Sequence, residues 1–179
     1  MPEQFFITGY PRSRTAWLAN FFTYGDSYCW HEGVKFGKKD RMEMDYKYVG
    51  DSDSSLPMHT QDLKRYPDAK IVVVQRDEGE VRESLQEMFK GMMPKDITDA
   101  NMDMYIRQMS EFKYNHPDHY KIHFTELDSV IKVEALWMYL VPTIPFPELR
   151  YEALNLLTIE PYLPKYMEQV KCWLKGEIR

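Results

Sequence analysis

The sequence predicts an α/β fold of three layers, in which a mostly parallel central sheet lies between helices. Apolar strand-like segments alternate with helix-like segments from Gln4 to Phe124, a pattern typical of parallel sheets. The most apolar strand, Lys70–Val74, is rich in β-branched residues, as expected for a strand covered on both faces. The length suits one domain spanning residues 1–179.

Composition narrows the functional classes. The net charge of −5 argues against a general nucleic-acid binder. No apolar run is long enough to cross a membrane, and the N-terminal residues lack the charged and apolar regions of a signal peptide. The two cysteines, Cys29 and Cys172, have no metal-binding spacing, so we expect reduced thiols in a cytoplasmic protein, with a bridge between them left open.

The first segment has the layout of a phosphate-binding loop. FFI at residues 5–7 predicts a buried strand, GYP at residues 9–11 ends it, and Ala16–Phe22 has the apolar period of a helix. Between strand and helix stand two arginines and two hydroxyl residues, close to the unpaired N–H groups of the helix start: Arg12, Ser13, Arg14 and Thr15. The segment predicts a site for a phosphate- or sulfate-bearing ligand; an ordinary turn with surface arginines is the alternative.

This loop differs from the Walker A box, Gly-x-x-x-x-Gly-Lys-Ser/Thr, whose lysine reaches the β- and γ-phosphates of a nucleotide. Gly9 is followed five residues later by Arg14 and then directly by Thr15, so the spacing is one residue short and no lysine is present. Hydrolysis of ATP or GTP is therefore disfavoured.

Two candidate bases follow the second predicted strand, Ser27–Trp30. His31 and Glu32 stand at its carboxyl end, where open α/β sheets bind their ligands, so either could act as general base near the basic loop. A surface turn is the alternative. Adjacent strand residues point to opposite faces, so we expect only one of the two to reach an acceptor.

Residues 34–66 give weaker patterns. Val34–Val49 is charged and without a clear period, and is either an acceptor-binding insertion or a solvated helix and loop. Gly50–Ser55 is interpreted as a polar turn whose side chains cap the next element, rather than as a cation site. His59–Tyr66 predicts a short helix.

A second candidate site follows the strand Lys70–Val74. Arg76 ends this strand, and Asp77 with Glu80 forms the D-x-x-E pattern of a helix start. Ser84 stands on the second turn of that helix, eight residues after Arg76. Arginine makes bidentate, permanently charged contacts to phosphate, and serine adds a short donor. An exposed arginine and a surface serine are the alternative.

Together these two segments resemble the PAPS-dependent sulfotransferases. YPRSRTAWL at residues 10–18 is similar to the family's 5′-phosphosulfate loop, usually Tyr-Pro-Lys-Ser-Gly-Thr-Thr-Trp-Leu, and departs from it at Arg12, Arg14 and Ala16. Arg76 with Ser84 resembles the family's 3′-phosphate signature, and YPDAK at residues 66–70 is similar to its lead into that strand. The resemblance is specific over residues 5–18 and 70–85, and elsewhere concerns only the layout.

The resemblance implies the sulfotransferase relative of the P-loop fold. The implied reaction moves a sulfuryl group from 3′-phosphoadenosine 5′-phosphosulfate (PAPS) to a hydroxyl or amine of a small-molecule or carbohydrate acceptor. Arg12 would stabilise the departing 5′-phosphate oxygen, and His31 or Glu32 would take the acceptor proton. No metal is expected, because the loop carries its own positive charge. The implied nucleotide-binding residues are Arg12, Ser13, Arg14, Thr15, Ala16, Trp17, Arg76 and Ser84.

Two other functional classes stay open: a P-loop-like, nucleotide-dependent kinase, and a nucleotide-binding protein without catalysis. The remaining chain predicts helices at Thr98–Lys113, Val130–Leu140 and Glu148–Leu157 and a strand at Tyr120–Phe124. A last helix either packs on the domain or contacts a partner, including another copy of the chain, through an apolar stripe formed by Leu163, Tyr166, Met167, Val170, Trp173 and Leu174.

Overall fold

The structure, a computed structural model, describes residues 2–33 and 42–156. Five parallel strands pair in the order β2-β3-β1-β4-β5. The strands are β1 Glu3–Gly9, β2 Ser27–His31, β3 Tyr48–Ser52, β4 Lys70–Gln75 and β5 Tyr120–His123. The described helices are α1 Thr15–Phe22, α2 Glu78–Met88, α3 Lys95–Asn115, α4 Val130–Leu140 and α5 Glu148–Leu156.

Helices cover both faces of the sheet, so the predicted three-layer α/β fold is confirmed. Successive residues of β1 point to opposite faces, which separates the core into two clusters. Phe5 and Ile7 pack with α1, α4 and α5 on one face, and Phe6 packs with α2 and α3 on the other. Trp137 of α4 is fully buried in the first cluster, stacks on Phe22 at 5.2 Å between ring centroids, and donates its indole N–H to the Ile144 carbonyl.

The third strand corrects part of the sequence analysis: residues 50–52, interpreted there as part of a polar turn, belong to β3, whereas residues 53–55 do form a turn. All five residues of β3 are buried, and the strand pairs with β2 on one side and β1 on the other. Its sequence, YVGDS, is poor in strand-forming residues, because glycine, aspartate and serine rarely occupy strands. This strand therefore forms because it is buried and paired on both edges, and not because its residues favour strands.

Smaller differences concern helix type and length. The predicted helix at His59–Tyr66 is a 3₁₀ helix, Thr60–Arg65. The helix predicted from Thr98 is longer, because α3 begins at Lys95, directly after Pro94. The stripe after Leu157 and residues 34–41 of the Val34–Val49 segment lie outside the described residues. Among the helices that the structure describes, none combines the length and the apolar character needed to cross a bilayer.

We expect Gly50→Ala to lower the free energy of unfolding by about 1–3 kcal/mol, as overpacking of a core does. A Cβ on Gly50 would overlap the buried ring of Phe5, which lies across the strand pair. Chemical denaturation measures the effect. The same glycine substitution made in a Phe5→Leu background should cost clearly less, and equal costs in both backgrounds would show that the ring is not the constraint.

Candidate functional site

The candidate site lies at the carboxyl edge of the sheet. Because the five strands are parallel, the segments that follow them meet at this edge: the loop 10–14 after β1, Asp53 after β3, Arg76 after β4 and Phe124 after β5. The helices after β1 and β4 pack on opposite faces, which opens a crevice between these two strands. Open α/β sheets bind ligands at such a point, and here the basic loop lies beside it.

The loop backbone adopts an unusual conformation at both of its arginines. The Ser13 N–H donates to the Tyr10 carbonyl at 3.2 Å, with Pro11 and Arg12 between them. Arg12 has φ 69° and Arg14 has φ 59°, a left-handed region in which non-glycine residues cost on the order of 1–3 kcal/mol each. Such strain persists only where the surroundings impose it, and it concentrates at functional sites.

The start of α1 provides donors for an anion. Leu18 donates the first helical hydrogen bond, to the Arg14 carbonyl, and no side chain caps the helix. The N–H groups of Thr15, Ala16 and Trp17 therefore belong to the open first turn, at the positive end of the helix dipole. Ser13 is fully buried and its hydroxyl has no hydrogen-bond partner. A phosphate here would meet several donors that the fold leaves unused.

Arg76 joins β4 to the loop. One terminal nitrogen of its guanidinium donates to the Arg12 carbonyl at 2.5 Å, and its Nε lies 3.5 Å from a carboxylate oxygen of Glu80. The guanidinium also lies 4.2 Å from the ring centroid of Phe124, and the side chain is only 15% exposed. These contacts fix the direction of Arg76 at the crevice.

The two arginines of the loop, Arg12 and Arg14, are also held by residues distant in sequence. Arg12 Nε donates to the Ser84 hydroxyl at 3.3 Å, and Arg14 forms a 2.6 Å ion pair with Asp128. Arg14 also lies 5.0 Å from the Phe124 ring centroid. The two segments that carry the sequence resemblance are thus in direct contact, although 64 and 72 residues separate the bonded pairs.

Trp17 lies behind the loop and not in the crevice. Its indole N–H donates to the Leu154 carbonyl of α5 at 3.3 Å, and its ring stacks on Phe21 at 5.1 Å between centroids. Its side chain therefore anchors α1 to α5, and a ligand at the helix start would meet its backbone N–H.

The two sequence-predicted bases lie at the end of the edge strand, β2: His31 is its last residue and Glu32 follows it. β3 lies between β2 and β1, so His31 is two strand spacings, roughly 9–10 Å, from β1. His31 is exposed, and Glu32 has φ 53° and donates its N–H to the Ser52 carbonyl. Both residues share the carboxyl edge with the loop, but a complete strand separates them from it.

Sequence reasoning missed the contributions of Phe124 and Asp128. Both belong to a short 3₁₀ helix, Phe124–Asp128, directly after β5. The rule that ligands bind beyond carboxyl strand ends would have indicated this segment. Their contacts with the arginines, however, depend on the position of β5 next to β4.

Tyr10, at the start of the loop, is tied to the second helix. It is 4% exposed and donates its hydroxyl to a Glu78 carboxylate oxygen at 2.8 Å, while Lys113 Nζ lies 5.6 Å from its ring centroid. Burial, with a smaller contribution from Glu78, raises the pKa of the Tyr10 hydroxyl. Burial also lowers the pKa of Lys113. The loop is therefore held to α2 and α3 as well as to β4.

No family model and no curated protein matches the chain. Among solved structures, a shikimate kinase from Bacteroides thetaiotaomicron is similar in fold, with 14% sequence identity and a TM-score of 0.49. The match covers 77% of this chain and 98% of the kinase.

We expect Tyr10→Phe to reduce the loss of stability at alkaline pH. The folded protein retains the Tyr10 proton at pH values where the unfolded chain has lost it, so this group makes the free energy of unfolding fall as pH rises above about 10. Urea denaturation between about pH 9 and pH 12 should give a shallower fall for the variant. Tyr114→Phe, at a side chain that is 85% exposed, is the matched control. An unchanged slope for Tyr10→Phe would contradict the assignment.

Proposed function

We propose that this chain binds a nucleotide with both 5′- and 3′-phosphate groups and transfers a sulfuryl group from PAPS to a hydroxyl or amine. One observation carries the proposal: Arg76 and Ser84 of the 3′-phosphate signature both contact Arg12 of the loop that resembles the 5′-phosphosulfate loop. A ligand with two phosphates on one ribose needs two neighbouring anion sites, and this contact makes them neighbours.

The charges of the site support such a ligand. Two of the three arginines of the site form ion pairs: Arg14 with Asp128 and Arg76 with Glu80. Within residues 2–33 and 42–156, Arg12 forms a hydrogen bond with Ser84 but no ion pair. A bound anion would therefore complete the charge balance at Arg12.

In the proposed reaction, the positively charged loop binds the 5′-phosphate and stabilises its developing negative charge. The acceptor oxygen or nitrogen forms a bond to sulfur while the bond from sulfur to the 5′-phosphate oxygen breaks, and the electron pair stays on that phosphate. Arg12 and the first N–H groups of α1 stabilise the charge that develops there. Ser13, Arg14, Thr15 and Ala16 hold the phosphate, and positioning supplies much of the remaining rate enhancement. No step requires a metal ion.

A kinase that uses Mg²⁺ and ATP is the second candidate, and Asp53 is the observation that favours it. This buried carboxylate follows β3, next to β1, and one of its oxygens has no partner. Mg²⁺ is commonly held by one or two carboxylates together with substrate phosphates, so Asp53 could hold the ion near a bound nucleotide. The missing loop lysine speaks against this function.

The first test compares nucleotides. We expect 3′-phosphoadenosine 5′-phosphate to bind more tightly than AMP, because Arg76 and Ser84 contact only the former's 3′-phosphate. Arg76→Ala should remove most of this preference, on the order of 1.5–3 kcal/mol. Because Arg76 also holds the Arg12 carbonyl of the loop, AMP binding should weaken too, but by less. Titration calorimetry gives both affinities.

Arg82→Ala is the matched control for this test. Arg82 lies on α2, near Ser84, but its guanidinium pairs with Asp99 and Asp103 of α3. It should therefore keep the preference for the 3′-phosphate. Equal affinity of the unmutated protein for both nucleotides would refute the proposal, and tighter binding of ATP with Mg²⁺ would favour the kinase.

The second test separates binding from chemistry at Arg12. If Arg12 acts on the leaving oxygen, Arg12→Ala should lower the single-turnover rate at saturating PAPS more than it weakens nucleotide binding. Ser84→Ala removes the hydrogen-bond partner of Arg12 and should mainly weaken binding. A normal rate with weaker binding for Arg12→Ala would show that Arg12 binds the nucleotide but does not act on the leaving oxygen.

A further inference from the structure

Asp53 combines complete burial with an unused carboxylate oxygen. One oxygen, Oδ1, accepts hydrogen bonds from the Ser55 N–H at 2.6 Å and the Ser55 hydroxyl at 2.7 Å. The other oxygen, Oδ2, has no partner, and the residue is 0% exposed. A buried carboxylate oxygen without a hydrogen bond is costly, so its presence calls for an explanation.

The neighbouring aspartate of β3 provides a contrast. Asp51 is equally buried, but its Oδ1 accepts the Gly33 N–H at 3.0 Å and so supports the turn after β2. Asp53 uses one oxygen in the same structural way, for the turn 53–55, and leaves the second unused. The turn therefore explains one oxygen of the Asp53 carboxylate, Oδ1, and leaves the other, Oδ2, without a structural role.

Asp53 stands next to the strand that leads into the loop. Its N–H donates to the Ile7 carbonyl at 2.9 Å, which extends the pairing of β3 with β1 by one residue. The register places Asp53 beside Thr8, whose buried hydroxyl also has no partner. Two unused polar atoms thus lie at the level of Thr8, two residues before Tyr10, where the phosphate loop begins. No strand intervenes as it does for His31 and Glu32.

We propose that Asp53 Oδ2 receives the proton of the acceptor during sulfuryl transfer, an inference that rests on the proposed function. The acceptor O–H or N–H donates to Oδ2 in the complex. As the new bond to sulfur forms and the bond to the 5′-phosphate oxygen breaks, this proton moves to Oδ2, and it leaves to solvent afterwards. Thr8 supplies a second polar contact for the acceptor group. Because Oδ2 is covered in this structure, the turn 53–55 must open to admit the acceptor.

Water can serve as the acceptor, so the test needs no knowledge of the natural one. PAPS labelled with ³⁵S in its sulfuryl group is incubated at saturation without added acceptor, and the release of inorganic sulfate is followed. Three readouts are collected for each protein: this rate, the thermal midpoint, and the thermal shift with 3′-phosphoadenosine 5′-phosphate. The variants are Asp53→Asn, Ser55→Ala, His31→Ala and Glu32→Gln.

We expect Asp53→Asn to lower the rate on the order of 10²–10⁴-fold, as loss of a general base does. Its thermal midpoint should change little, because the amide oxygen retains the Oδ1 contacts with Ser55. Its nucleotide-induced shift should remain. Ser55→Ala, which weakens the turn but leaves Oδ2, should keep the rate within a few-fold.

Several outcomes would overturn the inference. Parallel losses of rate and thermal midpoint in Asp53→Asn and Ser55→Ala would show a structural role for Asp53 alone. A loss of rate confined to His31→Ala or Glu32→Gln would place the base on β2. Stabilisation by MgCl₂ alone that disappears in Asp53→Asn would make Asp53 a cation ligand. If the unmutated protein binds 3′-phosphoadenosine 5′-phosphate but releases no sulfate, sulfuryl transfer to water fails and nucleotide binding without catalysis is favoured. Normal release by Asp53→Asn overturns only the role of this residue.

Discussion

The hydrogen bond from the Arg76 guanidinium to the Arg12 carbonyl is the interaction on which the site depends. It connects β4 to the loop of β1, and it holds a residue whose φ of 69° would otherwise be unfavourable. The two strands approach closely at Gly9, where a Cβ would lie 2.8 Å from the Val74 carbonyl oxygen. A charged donor, 15% exposed and packed on Phe124, is stronger than a neutral one, so this contact can offset backbone strain.

The ion pairs at the crevice orient the arginines without binding them strongly. The side chains of Asp128 and Glu80 are each 60% exposed, and exposed ion pairs contribute only about 0–1 kcal/mol. A phosphate could replace either carboxylate at small cost, while the aromatic ring of Phe124 keeps both guanidinium groups in place. Weak pairs and firm packing therefore give a site that is ordered before a ligand arrives.

Four of the nine buried side-chain polar atoms without a partner in the described residues lie near the carboxyl ends of β1 and β3. Buried side-chain oxygens of Thr8, Ser13, Ser52 and Asp53 lack hydrogen-bond partners, whereas apolar side chains fill both core clusters. A fold selected for stability alone would satisfy or remove such atoms. Unpaired buried atoms beside a strained loop are the combination expected where a fold gives up stability for ligand contacts.

The sequence by itself determined what depends on short-range spacing. The strand–loop–helix at residues 5–22 and the Asp77 cap, whose side chain accepts the Glu80 N–H, follow from periodicity and local chemistry. Only the tertiary structure decided which segments meet. β3, with unfavourable strand residues, exists through pairing with β1 and β2, and its insertion between them moves His31 away from the loop and brings Asp53 next to it. Strand order sets these distances, and it arises from long-range pairing that local sequence patterns do not encode.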